Sequence, residues 1–149
     1  MGLVTTLQGT RTSLTVTGFS TLASATYVAS NAYNASTNDP QDVIVEVEAA
    51  TTNTAAGNKQ VIVYIQASLD GTNFQTGPTS GTSDTDAPDF TLLGIIPMNT
   101  NSATHRKMFS TAMALGFVPQ QFKVVLKNDL GVALTSGAVY TAEISNSVA

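Results

Sequence analysis

Two stretches of the chain, DVIVEVEA at 42–49 and QVIVYIQAS at 60–68, alternate branched apolar side chains with others at a period of two. That period places Val43, Val45 and Val47 on one face of a strand, with Ile44, Glu46 and Glu48 on the other. In the second stretch Val61, Val63, Ile65 and Ala67 share a face. TTNTAAGNK between them is the right size for a hairpin or short connection. Half-buried antiparallel strands are the reading that follows.

The same pattern recurs downstream. DFTLLGIIP at 89–97 predicts a third strand, with Gly94 marking a bulge or the close approach of another backbone, and Pro97 ending it. QFKVVLKN at 121–128 predicts a fourth, with Phe122, Val124 and Leu126 inward and Lys123 and Lys127 outward. AVYTAEIS at 138–145 predicts a fifth. Residues 12–33 alternate only in part and carry one or two further strands or an extended arm. Residues 104–115 read as a strand in their first half. Hairpin-like spacing and no long amphipathic helix predict a single-domain, all-β antiparallel sandwich, jelly-roll-like in class.

The length of 149 residues suits one domain with a core. Only 11% of residues are charged, and 23 Thr, 13 Ser and 10 Asn supply the polarity instead, which favours strands over helices. A formal charge of −4 argues against a nucleic-acid partner. No apolar run approaches a membrane span, so a membrane partner is not expected, and the N-terminal residues lack the apolar stretch of a signal peptide. Cysteine is absent, which removes disulfides and thiolate metal sites.

Catalytic constellations find no support. His105 is the sole histidine and sits beside Arg106 and Lys107, so it lacks the partners of a zinc site or a Ser-His-Asp triad. Asp70, Asp84, Asp86 and Asp89 lie in a Thr, Ser and Gly-rich stretch without the order of a calcium loop. Glu46 and Glu48 stand about 7 Å apart on one strand face, with no aromatic cleft to hold a sugar. No enzyme, cofactor or metal is expected. Charge is segregated along the chain: residues 39–89 hold eight acids and one base, whereas residues 105–127 hold Arg106, Lys107, Lys123 and Lys127 and no acid. Such segregation can orient contacts, which makes those four cations the candidate partner-contact residues.

Two segments carry a family resemblance. LGFVPQQFKVVLKNDLGVAL and YIQASLDGTNFQTG, with GIIP, resemble small β-sandwich virion proteins of tailed bacteriophages over roughly residues 60–145. Within that group the chain is most like a capsid cement, or decoration, protein. The resemblance implies a trimer on the capsid surface, made in the host cytoplasm, that binds the major capsid protein and bridges its neighbouring subunits. A tail or fibre component, or a non-catalytic glycan-binding module, are the alternatives.

Three expectations concern surface and termini. Outward apolar residues such as Ile44, Ile62 and Val125 call for cover by another copy. Residues 69–88, poor in apolar groups, are expected to be mobile or ordered by a partner. Residues 1–12 form either an extended arm docked on a neighbouring copy or the shell, outside a sandwich domain at 13–149, or a first strand within that sandwich.

Overall fold

A computed structural model describes residues 3–82 and 89–148. Two antiparallel sheets face each other across one core. The first contains β1 (Val4–Gln8), β2 (Thr12–Leu14), β5 (Asp42–Ala50), β9 (His105–Ser110) and β11 (Ser136–Val148). The second contains β3 (Tyr27–Ala29), β4 (Tyr33–Asn34), β6 (Gln60–Ser68), β7 (Ser80–Gly81), β8 (Thr91–Pro97) and β10 (Gln121–Asp129). The order is β1-β11-β5-β9 in the first, with β2 also on β11, and β7-β3-β10-β6-β8 in the second, with β4 also on β10. The all-β sandwich expected from the alternation is the observed fold.

The alternation decides what is buried. Val43, Val45 and Val47 on β5, and Val61, Val63 and Ile65 on β6, are wholly inaccessible and meet Phe122, Val124 and Leu126 of β10 in one cluster. Each such side chain contributes about 1.5–3 kcal/mol on burial. Gly94 marks the expected bulge, while the group that closes on it is a side chain and not another backbone. The β6–β8 register slips between Val63 and Tyr64, opposite Gly94, and a Cβ at Gly94 would stand 2.7 Å from the Phe109 ring. Residues 104–115 resolve into β9 followed by one helical turn, α1 (Thr111–Leu115). Ser110 caps that turn by accepting from the Met113 N–H, and Asp42 accepts from the Ala112 N–H across from β5.

Outside the core, the second sheet supplies its own cover. Val125 points outward yet is fully buried, packed with Tyr27 and Phe90. The segment after β6 folds back over this face. Gln75 donates its N–H to the Ala67 carbonyl, its carbonyl accepts from the Gln66 side chain, and its amide oxygen accepts from the Ala67 N–H. Phe90 then lies over Gly77, where any Cβ would stand 2.5 Å from its ring. Thus the part of 69–88 that is described, 69–82, is tied to its own sheet and does not wait for a partner. Residues 83–88, with Asp84 and Asp86, lie outside the described residues. Cover for Val125 likewise comes from this chain and not from another copy.

The stretch at 117–134 ends in a buried polar knot. Asn128 is fully buried on β10; its amide donates to the carbonyls of Leu22 and Val132, and its oxygen accepts from the Leu130 N–H. The turn beyond it is held from outside by Ala56 and Gly57, whose N–H groups donate to the Leu130 carbonyl. Asn128→Ala takes the partner from the buried Leu130 N–H and from the part-buried Val132 carbonyl, at about 1–3 kcal/mol for each such group, while the Leu22 carbonyl keeps the Leu134 N–H. We expect a loss of at least about 2 kcal/mol in urea unfolding, whereas Asn58→Ala, at an exposed site, shifts stability by under about 1 kcal/mol.

Candidate interaction surface

The four cations singled out from the sequence do not form one patch. Arg106 lies on the outer face of the first sheet, opposite Glu48 in the β5–β9 register. Its Nε donates to Glu48 at 2.7 Å and stands 3.7 Å from Glu46. Arg11 joins the same carboxylates, reaching Glu46 and Glu48 at 2.6 Å each, and its guanidinium lies 3.3 Å above the Tyr140 ring. Charge segregated along the chain is therefore brought together and balanced in space. Hydrogen bonding to Glu46 raises the Arg11 pKa further above its already high value.

Lys107 occupies the edge between the two sheets, where its Nζ donates to the Ile95 carbonyl at 3.0 Å. Lys123 and Lys127 lie on the outer face of the second sheet, with Nζ atoms 4.5 Å from the Phe74 centroid and 5.1 Å from that of Tyr27. Contacts of this kind contribute about 0.5–1 kcal/mol where exposed. The ring of His105 meets the Thr100 carbonyl at 3.0 Å. No cluster of His, Cys, Asp or Glu with metal-binding geometry occurs among the described residues, and none of their helices is long and apolar enough to cross a membrane.

Exposed apolar groups, by contrast, are concentrated. Nine large apolar side chains are exposed among the described residues, and six of them gather at one end of the sandwich: Leu3, Val4, Leu7, Leu69, Met113 and Phe117. This is the end where β5 and β10 begin and β6 and β9 finish. The loops of the opposite end, at 51–59, 98–104 and 130–135, expose no large apolar side chain. Their surface is mostly Thr, Asn and Ser, with Lys59 and small Ala and Gly residues.

Two structures build the apolar end. The first is a cavity of about 530 Å³ between the turn after β6 and the segment after α1, lined by Leu69, Phe74, Leu115 and Phe117 among others. Its rim is fixed by Asp70, whose carboxylate accepts from the N–H groups of Thr72 and Asn73 and from the Asn73 amide. Those bonds, the Asn73 and Thr72 backbone N–H groups foremost, hold the Asp70 carboxyl well below the usual range, so the turn persists at neutral pH and weakens only in strong acid. The second is a ribbon. Past Ile144, the only strand partner of β11 among the described residues is β1, which pairs with it from Gln8↔Ile144 to Val4↔Val148. All five residues of β1 are exposed. The N-terminal segment is thus paired with its own β11.

Beneath the ribbon, a clasp joins the sheets. Glu143 of β11 accepts a hydrogen bond from the Tyr33 hydroxyl of the second sheet, and a second, at 2.9 Å, from the Asn38 amide. These groups line a cleft of about 410 Å³. Tyr33, Asn38 and Glu143 are thus already paired with one another.

Sequence reading found the cations but missed the apolar end. Its signal was present in LDGTNF and ALGFVP, where large apolar residues sit inside segments with turn chemistry and no alternation to bury them. The chain matches no protein-family model, and no curated protein is similar to it.

The clasp yields a pH test. Burial above all, then the bond to Glu143 and its charge, pushes the Tyr33 phenol well above its ordinary value of about 10. The folded state therefore favours the neutral phenol. Its stabilisation is complete below the ordinary value and is lost as the pH rises through the folded one. Thermal melting from pH 8 to 11.5 is expected to show a steeper alkaline loss of stability in the native chain than in Tyr33→Phe; equal slopes would contradict the clasp.

Proposed function

We propose that this chain is a virion structural protein: a capsid cement protein that seats its apolar end on the shell and bridges neighbouring capsid subunits. One observation carries the reading. Six of the nine large apolar side chains exposed among the described residues lie at one end of a sandwich whose outer faces carry its own ion pairs and its own loop, with Leu92, Ile95 and Met108 exposed elsewhere. A surface so divided suits a protein that stands end-on against a larger body, with its polar end to water. The resemblance of YIQASLDGTNFQTG and LGFVPQQFKVVLKNDLGVAL to phage virion sandwiches supports the same role, and both segments contribute residues to that end.

The mechanism is mechanical. Leu69, Met113 and Phe117, at 77%, 90% and 48% exposure, have most to gain on being covered. Each large side chain fully covered contributes about 1.5–3 kcal/mol. If one copy covers the joint between two shell subunits, parting them exposes that area again, and the shell resists expansion by that amount. No bond is made or broken, and the reading calls for no cofactor. The partners are the major capsid protein and further copies of the chain, as a homo-oligomer; Arg106, Lys107, Lys123 and Lys127 contribute less, because each already meets a group of its own chain.

Electron cryomicroscopy of the parent particle tests this. The cement reading predicts the sandwich on the shell surface, apolar end inward, at a copy number near that of the capsid subunit. A handful of copies at a tail or vertex would replace it with a tail or fibre role. In co-sedimentation with stripped shells, Leu69→Asp with Phe117→Asp is expected to weaken binding at least about 30-fold, since losing two buried anchors removes 2 kcal/mol or more. Lys127→Ala is expected to change it less than about threefold.

A further inference from the structure

The edges of the two sheets differ in how they are guarded. Exposed strand edges invite pairing with another chain, and folded proteins block them with charge, proline, bulges or shortness. On the far side of the first sheet, β9 carries His105, Arg106 and Lys107. On the second sheet, β8 carries the bulge at Gly94, ends in Pro97 and has its Ile95 carbonyl taken by Lys107. Strands β4 and β7 are two residues long and β2 is three. Between β1 and β2 the edge is also bulged, since residues 9–11 face only residues 142 and 143 of β11.

β1 has none of these protections. It is five residues long, holds an unbroken register with β11, and contains no charge, proline or glycine. The first ionisable side chain of residues 3–14 is Arg11, beyond the bulge.

We propose that β1 pairs antiparallel with β1 of a second copy about a two-fold axis at Thr5, joining the first sheets of two copies into one. The choice of occupant follows from self-complementarity. A two-fold contact sets the same strand against itself, which a like charge would oppose and which this uncharged strand permits. The register follows from side-chain alternation. Leu3, Thr5 and Leu7 share one face of the ribbon, and both leucines are exposed, at 73% and 48%. An axis at Thr5 places Leu3 opposite Leu7 of the second copy twice over, with Thr5 on Thr5 between. An axis at Thr6 would instead leave Leu3 opposite a glycine and Leu7 opposite Thr5. The contact is small, under the roughly 1,200 Å² of a standard interface, so the dimer is weak and concentration-dependent. It closes at two copies and leaves any three-fold packing to other surfaces. It also stands independently of the capsid reading, because it needs no shell.

The absence of native cysteine makes the test direct. Cross-strand pairs bring Cα atoms to about 4.5–5.5 Å, within disulfide range. Thr5→Cys, under a mild oxidant in dilute solution without any particle, is expected to form an interchain disulfide at least about tenfold faster than Thr52→Cys at the polar end. Adding Leu7→Lys is expected to return the rate to that control while the thermal melt stays unchanged. Sedimentation of the unaltered chain should show a weak dimer that Leu7→Lys abolishes. Equal cross-linking rates at positions 5 and 52, insensitivity to Leu7→Lys, or a monomer up to about millimolar concentration would each overturn the proposal.

Discussion

Each sheet of a two-layer sandwich commits one face to the other sheet and must find something for the second. That constraint organises this molecule. The inner faces are settled by Val43, Val45 and Val47 against Phe122, Val124 and Leu126. The outer faces are settled in two different ways. On the second sheet the chain returns over its own strands, so that Phe90 and Tyr27 bury Val125. On the first, Arg11 spans Glu46 and Glu48 and lies on Tyr140, with Arg106 beside it. Most of what remains uncovered lies at one end of the sandwich and along one strand edge, apart from Leu92, Ile95 and Met108. Both proposed interactions use what remains.

The ion network illustrates why charge is a poor guide to partners here. Its members are solvent-exposed in part, and isolated pairs of that kind contribute about 0–1 kcal/mol. Their effect lies more in neutralising the face, which leaves neither an acidic nor a basic field to steer a partner to it. Apolar area is less easily cancelled. Leu69, Phe117 and Met113 remain exposed.

How much of this was legible in the sequence depends on the range of the interaction. Period-two alternation is local, so the five main strands and the inward set on β5, β6 and β10 could be read directly. At Gly94 the sequence showed that a side chain was not wanted; the slipped register and the Phe109 ring are the two reasons. The outward direction of Lys123 and Lys127 followed from alternation as well. Their rings did not, because Phe74 and Tyr27 arrive only through the tertiary return of the chain. Arg106 met Glu48 for a similar reason: strand order places β9 beside β5, across nearly sixty residues. Asn128 read only as the last residue of a strand, yet it is a buried anchor whose partners include the carbonyl of Leu22. The apolar end was the largest omission, since no periodicity marks Leu69, Met113 and Phe117 as neighbours.

The central claim is that interactions leave this sandwich through its apolar end. Amide hydrogen exchange of the protein, free and seated on its parent particle, tests that claim most directly. The account predicts that added protection concentrates at residues 69–74 and 113–118, with 51–59 and 98–104 unchanged. Protection gained at the polar loops instead, with the Leu69 and Phe117 segments exchanging as they do in the free protein, would contradict it.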